Sequence, residues 1–213
     1  FLSHLATRRR VSASTQNQAL SALLFLYRVV LRRELAWLDD LVRAKRPQRI
    51  PVVLTRTEVS RIFAHLHGTP RLVVGLLYGG GLRLMEALRL RVQDVDFKRR
   101  EVLVRNGKGF KDRVTMLPDK LAGRLQSHLA TVRLLHEKDL AEGFGDVHLP
   151  YALDRKYPNA GKSWGWQYVF PSGNRSLDPR TGKTRRHHLD EQTIQRAVKQ
   201  AVRTAGVFKP ATP

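Results

Sequence analysis

Leu77-Tyr78-Gly79-Gly80-Gly81-Leu82-Arg83-Leu84-Met85-Glu86-Ala87-Leu88-Arg89-Leu90 is the stretch on which the fold turns. Three consecutive glycines free the backbone for a sharp reversal, and helical spacing resumes after them, so two helices meet at a tight corner. On the second helix Leu84, Ala87 and Leu88 share a packing face, while Arg83 and Glu86 lie together on another, three residues apart. The first helix spans about Pro70–Tyr78. Ahead of it, Thr55-Arg56-Thr57-Glu58 has the spacing of a capping box, which predicts a helix over about 56–66 with Val59, Ile62, Phe63 and Leu66 inward.

Downstream of the corner, Glu101-Val102-Leu103-Val104-Arg105 alternates like a strand, Asn106-Gly107-Lys108-Gly109 is turn chemistry, and Asp112–Leu117 alternates again. This predicts a hairpin with Lys108 at its tip. A long helix is expected from Pro118 to about Glu142, with Leu121, Leu125, Leu129, Val132 and Leu135 on one side. Residues 143–188 are rich in Gly, Pro, aromatics and charge, and only Gln167–Phe170 looks like a strand; so long an irregular insert in a domain is usually functional or mobile. A last helix covers about Asp190–Ala205, with Ile194, Val198, Ala201 and Val202 inward and Gly206 as its stop.

Upstream, the apolar residues from Ala19 to Leu31 recur at three and four, which predicts one amphipathic helix over Ser12–Arg33. A shorter helix is expected at about Leu38–Ala44. Then Lys45-Arg46-Pro47-Gln48-Arg49-Ile50-Pro51 breaks any helix with two prolines and marks a boundary. Expected are a partial helical domain over 1–45, a basic linker over 46–54 whose Arg46 and Arg49 suit contact with a wrapped anion, and a larger domain over 55–213. The fold class is mainly α with a small antiparallel β-sheet, α+β.

The 213 residues carry 39 Lys plus Arg against 18 Asp plus Glu, a formal charge of +21, which asks for a polyanion as partner. Residues 1–50, 51–150 and 151–213 contribute +7, +6 and +8, so no single basic tail is responsible and folded surfaces display the charge. Charge alone does not separate DNA from RNA. No apolar run approaches the roughly 20 residues of a membrane span. Zero cysteines exclude a disulfide framework, a zinc ribbon and a thiol nucleophile, and fit a reducing compartment.

Two-metal phosphate chemistry needs converging carboxylates, and beyond Asp94 and Asp96 none cluster in residues 51–150. Neither Gly107-Lys108-Gly109 nor Ala160-Gly161-Lys162-Ser163 completes a P-loop, and the eight histidines lack metal-ligand spacing. What remains is a phosphodiester transition state held by fixed cations: an arginine fork on the non-bridging oxygens and a lysine that gives up its proton. Arg83, following the glycine turn, and Lys108, between two glycines, are the candidates. Taken alone, an arginine at a helix start is more often a solvated charge.

Together, the run 77–90 and the later Gly107-Lys108-Gly109-Phe110-Lys111-Asp112-Arg113 resemble the first-arginine box and the β-hairpin lysine motif of tyrosine recombinases, in the right order and 25 residues apart between Arg83 and Lys108. The N-terminal helix, the run 38–51 and the insert, with Ala152-Leu153-Asp154-Arg155-Lys156-Tyr157-Pro158-Asn159-Ala160-Gly161 and Ser163-Trp164-Gly165-Trp166, are similar to integron integrases, the branch that captures gene cassettes. The likeness covers nearly the whole chain.

The resemblance implies an incomplete N-terminal core-binding domain of SAM-like type and a catalytic domain that together clamp DNA, in a homotetramer at the synapse, inside the bacterial cytoplasm at the nucleoid. A family tyrosine attacks the scissile phosphate to leave a 3′-phosphotyrosyl link, with no cofactor. Arg83 would hold the phosphate oxygens, Lys108 would protonate the departing 5′-oxygen, and Lys111 is the rival lysine. Glu86 would orient its neighbours. The implied substrates are a double-stranded integration site and a cassette site folded from one strand into a hairpin with protruding bases. Trp164, Trp166, His187 and His188 suit those bases, Trp166 having core packing as its alternative; Arg185, Arg186 and Arg113 suit phosphates.

One departure stands out. The sequence ends at Ala211-Thr212-Pro213, whereas the family continues to a His-x-x-Arg box, a further histidine and the tyrosine, so the chain is expected to be a fragment with both ends missing that does not cleave DNA. None of Tyr27, Tyr78, Tyr151, Tyr157 and Tyr168 stands where the nucleophile belongs. The reading from another class is a non-catalytic DNA-binding or architectural module; RNA binding of ribosomal type is a third.

Overall fold

The computed structural model describes residues 1–33, 41–45, 52–107, 109, 111–150, 153–179 and 181–213, in two units, Phe1–Pro51 and Val52–Pro213. Arg46, Arg49, Lys108 and Phe110 lie outside the described residues.

In the smaller unit, helix α1 spans Leu2–Thr7 and α2 spans Ala13–Phe25, opened by Ser12, whose hydroxyl accepts from the Thr15 N–H at 3.2 Å. The single helix expected over Ser12–Arg33 stays α-helical only to Phe25, widens into a π-helical turn at Leu26–Val30, and ends before Arg32, whose φ is +50°. Gln16, 2% exposed, ties the unit together: its Nε2 donates to the carbonyls of Leu2 and Val42 at 2.9 and 2.7 Å, and its Oε1 accepts from Ala44 N–H at 2.8 Å. That bonding corrects the helix expected at 38–44. Residues 41–45 are irregular because Val42 and Ala44 spend their backbone groups on a side chain instead of on the next helical turn, and 38–40 lie outside the described residues.

The larger unit begins with α3, Arg56–Ala64, and its capping box is complete: Thr55 Oγ1 accepts from Glu58 N–H at 3.2 Å and Glu58 Oε2 accepts from Thr55 N–H at 2.7 Å. Helix α4 runs Gly68–Gly80 and α5 runs Leu84–Leu88. The corner between them is narrower than the triple glycine suggests. Gly79 and Gly80 remain helical, and only Gly81 turns, at φ +64°. The first two serve close approach: a Cβ on Gly79 would stand 2.6 Å from Pro118 Cγ, and one on Gly80 would stand 2.8 Å from Leu82 Cδ1 and 3.1 Å from the Met116 carbonyl.

A three-stranded antiparallel sheet follows, order β1-β2-β3, from Val95–Asp96, Glu101–Val104 and Arg113–Met116, with Val102 opposite Thr115 and Val104 opposite Arg113. Two-residue β1 is too short to leave an alternation signal. Long α6 spans Asp119–Ala141 and α8 spans Glu191–Thr204, capped by Asp190. Between them lie α7 (Leu153–Lys156), 3₁₀ turns at Ala160–Lys162 and Trp164–Trp166, and a small ribbon of β4 (Ser176–Leu177) with β5 (Thr184–Arg185). The segment 167–170, expected as a strand, makes one bridge, Tyr168 to Arg91. Val73 and Leu76 of α4, Ala87 and Leu88 of α5, Val102 of β2, Val169 and Phe170 of the insert, and Ile194 of α8 are all 0% exposed and form one core. The insert therefore packs into the domain instead of projecting from it. The class is mainly α with small antiparallel sheets, and among the described residues no helix is long and apolar enough to cross a membrane.

Candidate functional site

The α4–α5 corner and β3 bring two arginines onto one carboxylate. Arg83 is the residue before α5; its backbone N–H donates to Glu86 Oε2 at 2.9 Å and its Nη1 donates to Oε1 at 2.8 Å. From β3, Arg113 donates Nη1 to Oε1 at 2.9 Å and Nη2 to Oε2 at 2.6 Å. The fork from Arg113 holds the Glu86 carboxyl well down, to about 2, against the burial that raises it and with help from Arg83. Four donors on a nearly buried anion fix its position. Arg83 is anchored by one edge only, and its side chain remains 57% exposed. Sequence reasoning reads Arg113 as a phosphate contact; the structure gives its fork to Glu86.

Arg83 lines two hollows. One is a shallow depression of about 380 Å³ shared with Gly81, Lys111 and Arg113. The other is an open cleft of about 750 Å³ into which Arg89, Arg91, Arg105, Trp166, Tyr168, His187 and His188 also face. Of these, Arg105 Nε is paired with Asp94 at 2.7 Å. The deep wall of the cleft is a stack: the Arg91 guanidinium lies 3.6 Å from the Tyr168 ring centre, and Tyr168 meets His187 and His188 at 5.5 and 5.4 Å, the two imidazoles being 4.0 Å apart. Arg91 is held by the carbonyls of Trp166 at 2.8 Å and His148 at 2.9 Å. Burial, then neighbouring His188 and Arg91, lowers the pKa of His187; burial lowers that of His188 despite the Leu189 carbonyl. His188 Nδ1, 2.8 Å from the Leu189 carbonyl, carries the proton and leaves Nε2 as an acceptor.

Other expected contacts sit differently. Trp164 does not line the cleft: it packs against the core beside His136, with Arg133 at 5.8 Å from its ring centre. Arg185, 9% exposed, pairs with Asp146 at 3.0 Å and Asp178 at 2.9 Å. Arg186 pairs with Asp139, Nε to Oδ2 at 2.6 Å and Nη2 to Oδ1 at 2.8 Å. Both line the cleft, but their charges are met from within. A phosphate would have to displace these carboxylates.

Residues 52–213 match the phage integrase family, and residues 1–37 match the phage integrase N-terminal SAM-like domain. The chain belongs to the phage integrase family. It is 53% identical over 213 residues to an integrase/recombinase of Escherichia coli, covering all of this chain and 63% of that relative. A tyrosine recombinase XerA of Thermococcus kodakarensis is 38% identical over 136 residues, 61% of this chain and 46% of that one. The XerH site-specific recombinase bound to difH substrate, a pre-cleavage complex, aligns with a TM-score of 0.53 and 17% identity over 99% of this chain and 53% of that chain, a likeness of fold. The chain thus spans 63% of the length of the Escherichia coli relative.

Arg89, Arg91, Arg105 and Tyr168 are among the cleft residues that sequence reasoning missed. Arg91 carries no local mark, since its partners at Trp166 and His148 are 75 and 57 residues away. Gly161 is a quieter element of the same insert: a Cβ there would run into Asp146 Oδ1 and stand 2.9 Å from the Val147 carbonyl. Gly161→Ala is expected to push Asp146 off Arg185 and to destabilise the chain by about 2 kcal/mol in urea melts, as overpacking does. Unchanged stability would mean that the insert yields freely there.

Proposed function

We propose that this chain is the larger part of an integron integrase: Arg83 grips the scissile phosphate, and the rings lining the same cleft read bases that protrude from a folded cassette site. The observation that carries the reading is that one cleft of about 750 Å³ holds an exposed guanidinium and a stack of aromatic and imidazole rings. Splayed bases need flat faces and hydrogen-bond acceptors, and a phosphate needs a cation with unspent donors. The 53% identity to an integrase/recombinase supports the same class.

In the whole recombinase the tyrosine oxygen bonds to phosphorus as the bond from phosphorus to the 5′-oxygen breaks, and the proton for that oxygen comes from Lys108, with Lys111 as the alternative donor. Arg83 neutralises the charge that grows on the non-bridging oxygens, and Glu86 holds Arg83 in register. Four protomers synapse two sites in the cytoplasm. The 213 residues bind the site.

The test is binding of the 213-residue chain to three probes in one buffer: a cassette-site hairpin with protruding bases, the same hairpin fully paired, and a structured RNA of equal length. At least about tenfold tighter binding to the first is expected, the worth of one or two base contacts. Equal affinity for both DNA probes would leave an architectural DNA-binding module, and preference for RNA would leave neither.

A further inference from the structure

We propose that the buried Asp139–Arg186 fork is a positioning device that sets the His187 and His188 rings in the cleft, and is not itself a DNA contact. The inference rests on the base-reading function proposed above for those rings.

Asp139 is 3% exposed and accepts both prongs of Arg186. The remaining Nη1 of Arg186 donates to the carbonyls of Ser172 and Gly173, both at 2.8 Å. All three guanidinium nitrogens are therefore occupied, and the group spans from α6 to the segment that runs beside the histidines. That segment pairs with them directly: Ser172 N–H donates to the His187 carbonyl at 2.8 Å, Leu189 N–H donates to the Phe170 carbonyl at 2.8 Å, and Pro171 bridges His188. Arg185, one residue earlier, is pinned by a different set of carboxylates. Two neighbouring side chains anchored to separate partners leave the next two residues little freedom to twist. Their rings stand 4.0 Å apart against Tyr168.

Stability alone does not account for the fork. Apolar residues of similar volume usually stabilise a buried site as well as an ion pair does, whereas a planar fork adds a defined orientation. A recognition ring works only when its own geometry is held from behind. Asp139 also takes Arg175 at 3.3 Å, but Arg175 has a second and closer partner in Glu142 at 2.7 Å, so the pair with Arg186 can be changed without stranding it.

Two variants of the 213-residue chain test this: Arg186→Lys, which keeps the charge and loses the fork, and the double variant Asp139→Leu with Arg186→Met, which removes both charges at similar volume. The readouts are melting temperature, NMR signals of the two histidine rings, the affinity ratio between a hairpin with protruding bases and one lacking them, and the salt dependence of binding. In both variants the ring signals are expected to move and the ratio to fall about tenfold, while the salt slope stays at the wild-type value. A salt slope reduced by about one in the double variant, with the ratio kept, would make Arg186 a phosphate contact and overturn the proposal. So would unmoved ring signals in a double variant that melts like the wild type. If the wild type itself shows no preference for protruding bases while the ring signals move in the variants, base reading fails and the fork stands as the device that orients the rings.

Discussion

Arg83→Ala, made in the whole recombinase, is expected to lower the rate of strand cleavage by about a hundred- to a thousandfold while weakening site binding by less than about tenfold, because a preorganised donor acts mainly on charge that develops in the transition state. The geometry favours that split. Arg83 touches Glu86 with one nitrogen and leaves its side chain 57% exposed, so the rest of the fork faces the cleft. Stability should barely change, by no more than about 1 kcal/mol, since the exposed edge of an ion pair adds little and Arg113 still holds Glu86. Arg83→Lys should recover little of the rate, as an ammonium cannot bridge two phosphate oxygens in one plane. Single-turnover cleavage and filter binding separate the effects; equal losses in both would demote Arg83 to an ordinary phosphate contact.

Glu86→Gln is expected to cost about 2 kcal/mol of stability at pH 7, and to do so in a pH-dependent way. The carboxyl is 9% exposed in its side chain and takes two guanidiniums that are 57% and 36% exposed, so solvent screening keeps the loss below that of a fully buried pair. The group's pKa lies at about 2 in the folded chain against an ordinary 4.5. A carboxyl held below its unfolded value adds stability that is complete above about pH 5 and fades as pH falls through 4.5 towards 2. Wild type and variant should therefore differ most at neutral pH and converge in acid. Urea melts across that range check it; a gap that stays constant with pH would place the role of Glu86 in packing.

Local chemistry was legible without coordinates. Thr55 and Glu58 announce their helix because both partners of the capping box lie within one turn. The hairpin of β2 and β3 shows in alternation, and α6 and α8 show in apolar periodicity, since each pattern is complete within its own segment. The helix expected at 38–44 failed over 41–44 for the opposite reason: Gln16, 26 residues from Val42, takes the backbone groups that a helix would use. Arg186 and Arg113 read as free cations for the same cause, their acids lying 47 and 27 residues away, and so does Arg185 for Asp146 at 39, though its second acid, Asp178, is only 7 residues off.

The sequence by itself determined α3 to α6, α8, the hairpin, the +21 charge and the resemblance that singles out Arg83, because propensity, spacing and composition act over a few residues or over the whole chain at once. Only the tertiary structure decided which of the cationic side chains keep their donors for a ligand. That depends on where carboxylates arrive after packing: Asp139, Asp146 and Glu86 occupy Arg186, Arg185 and Arg113, while Arg83 keeps most of its fork for the cleft.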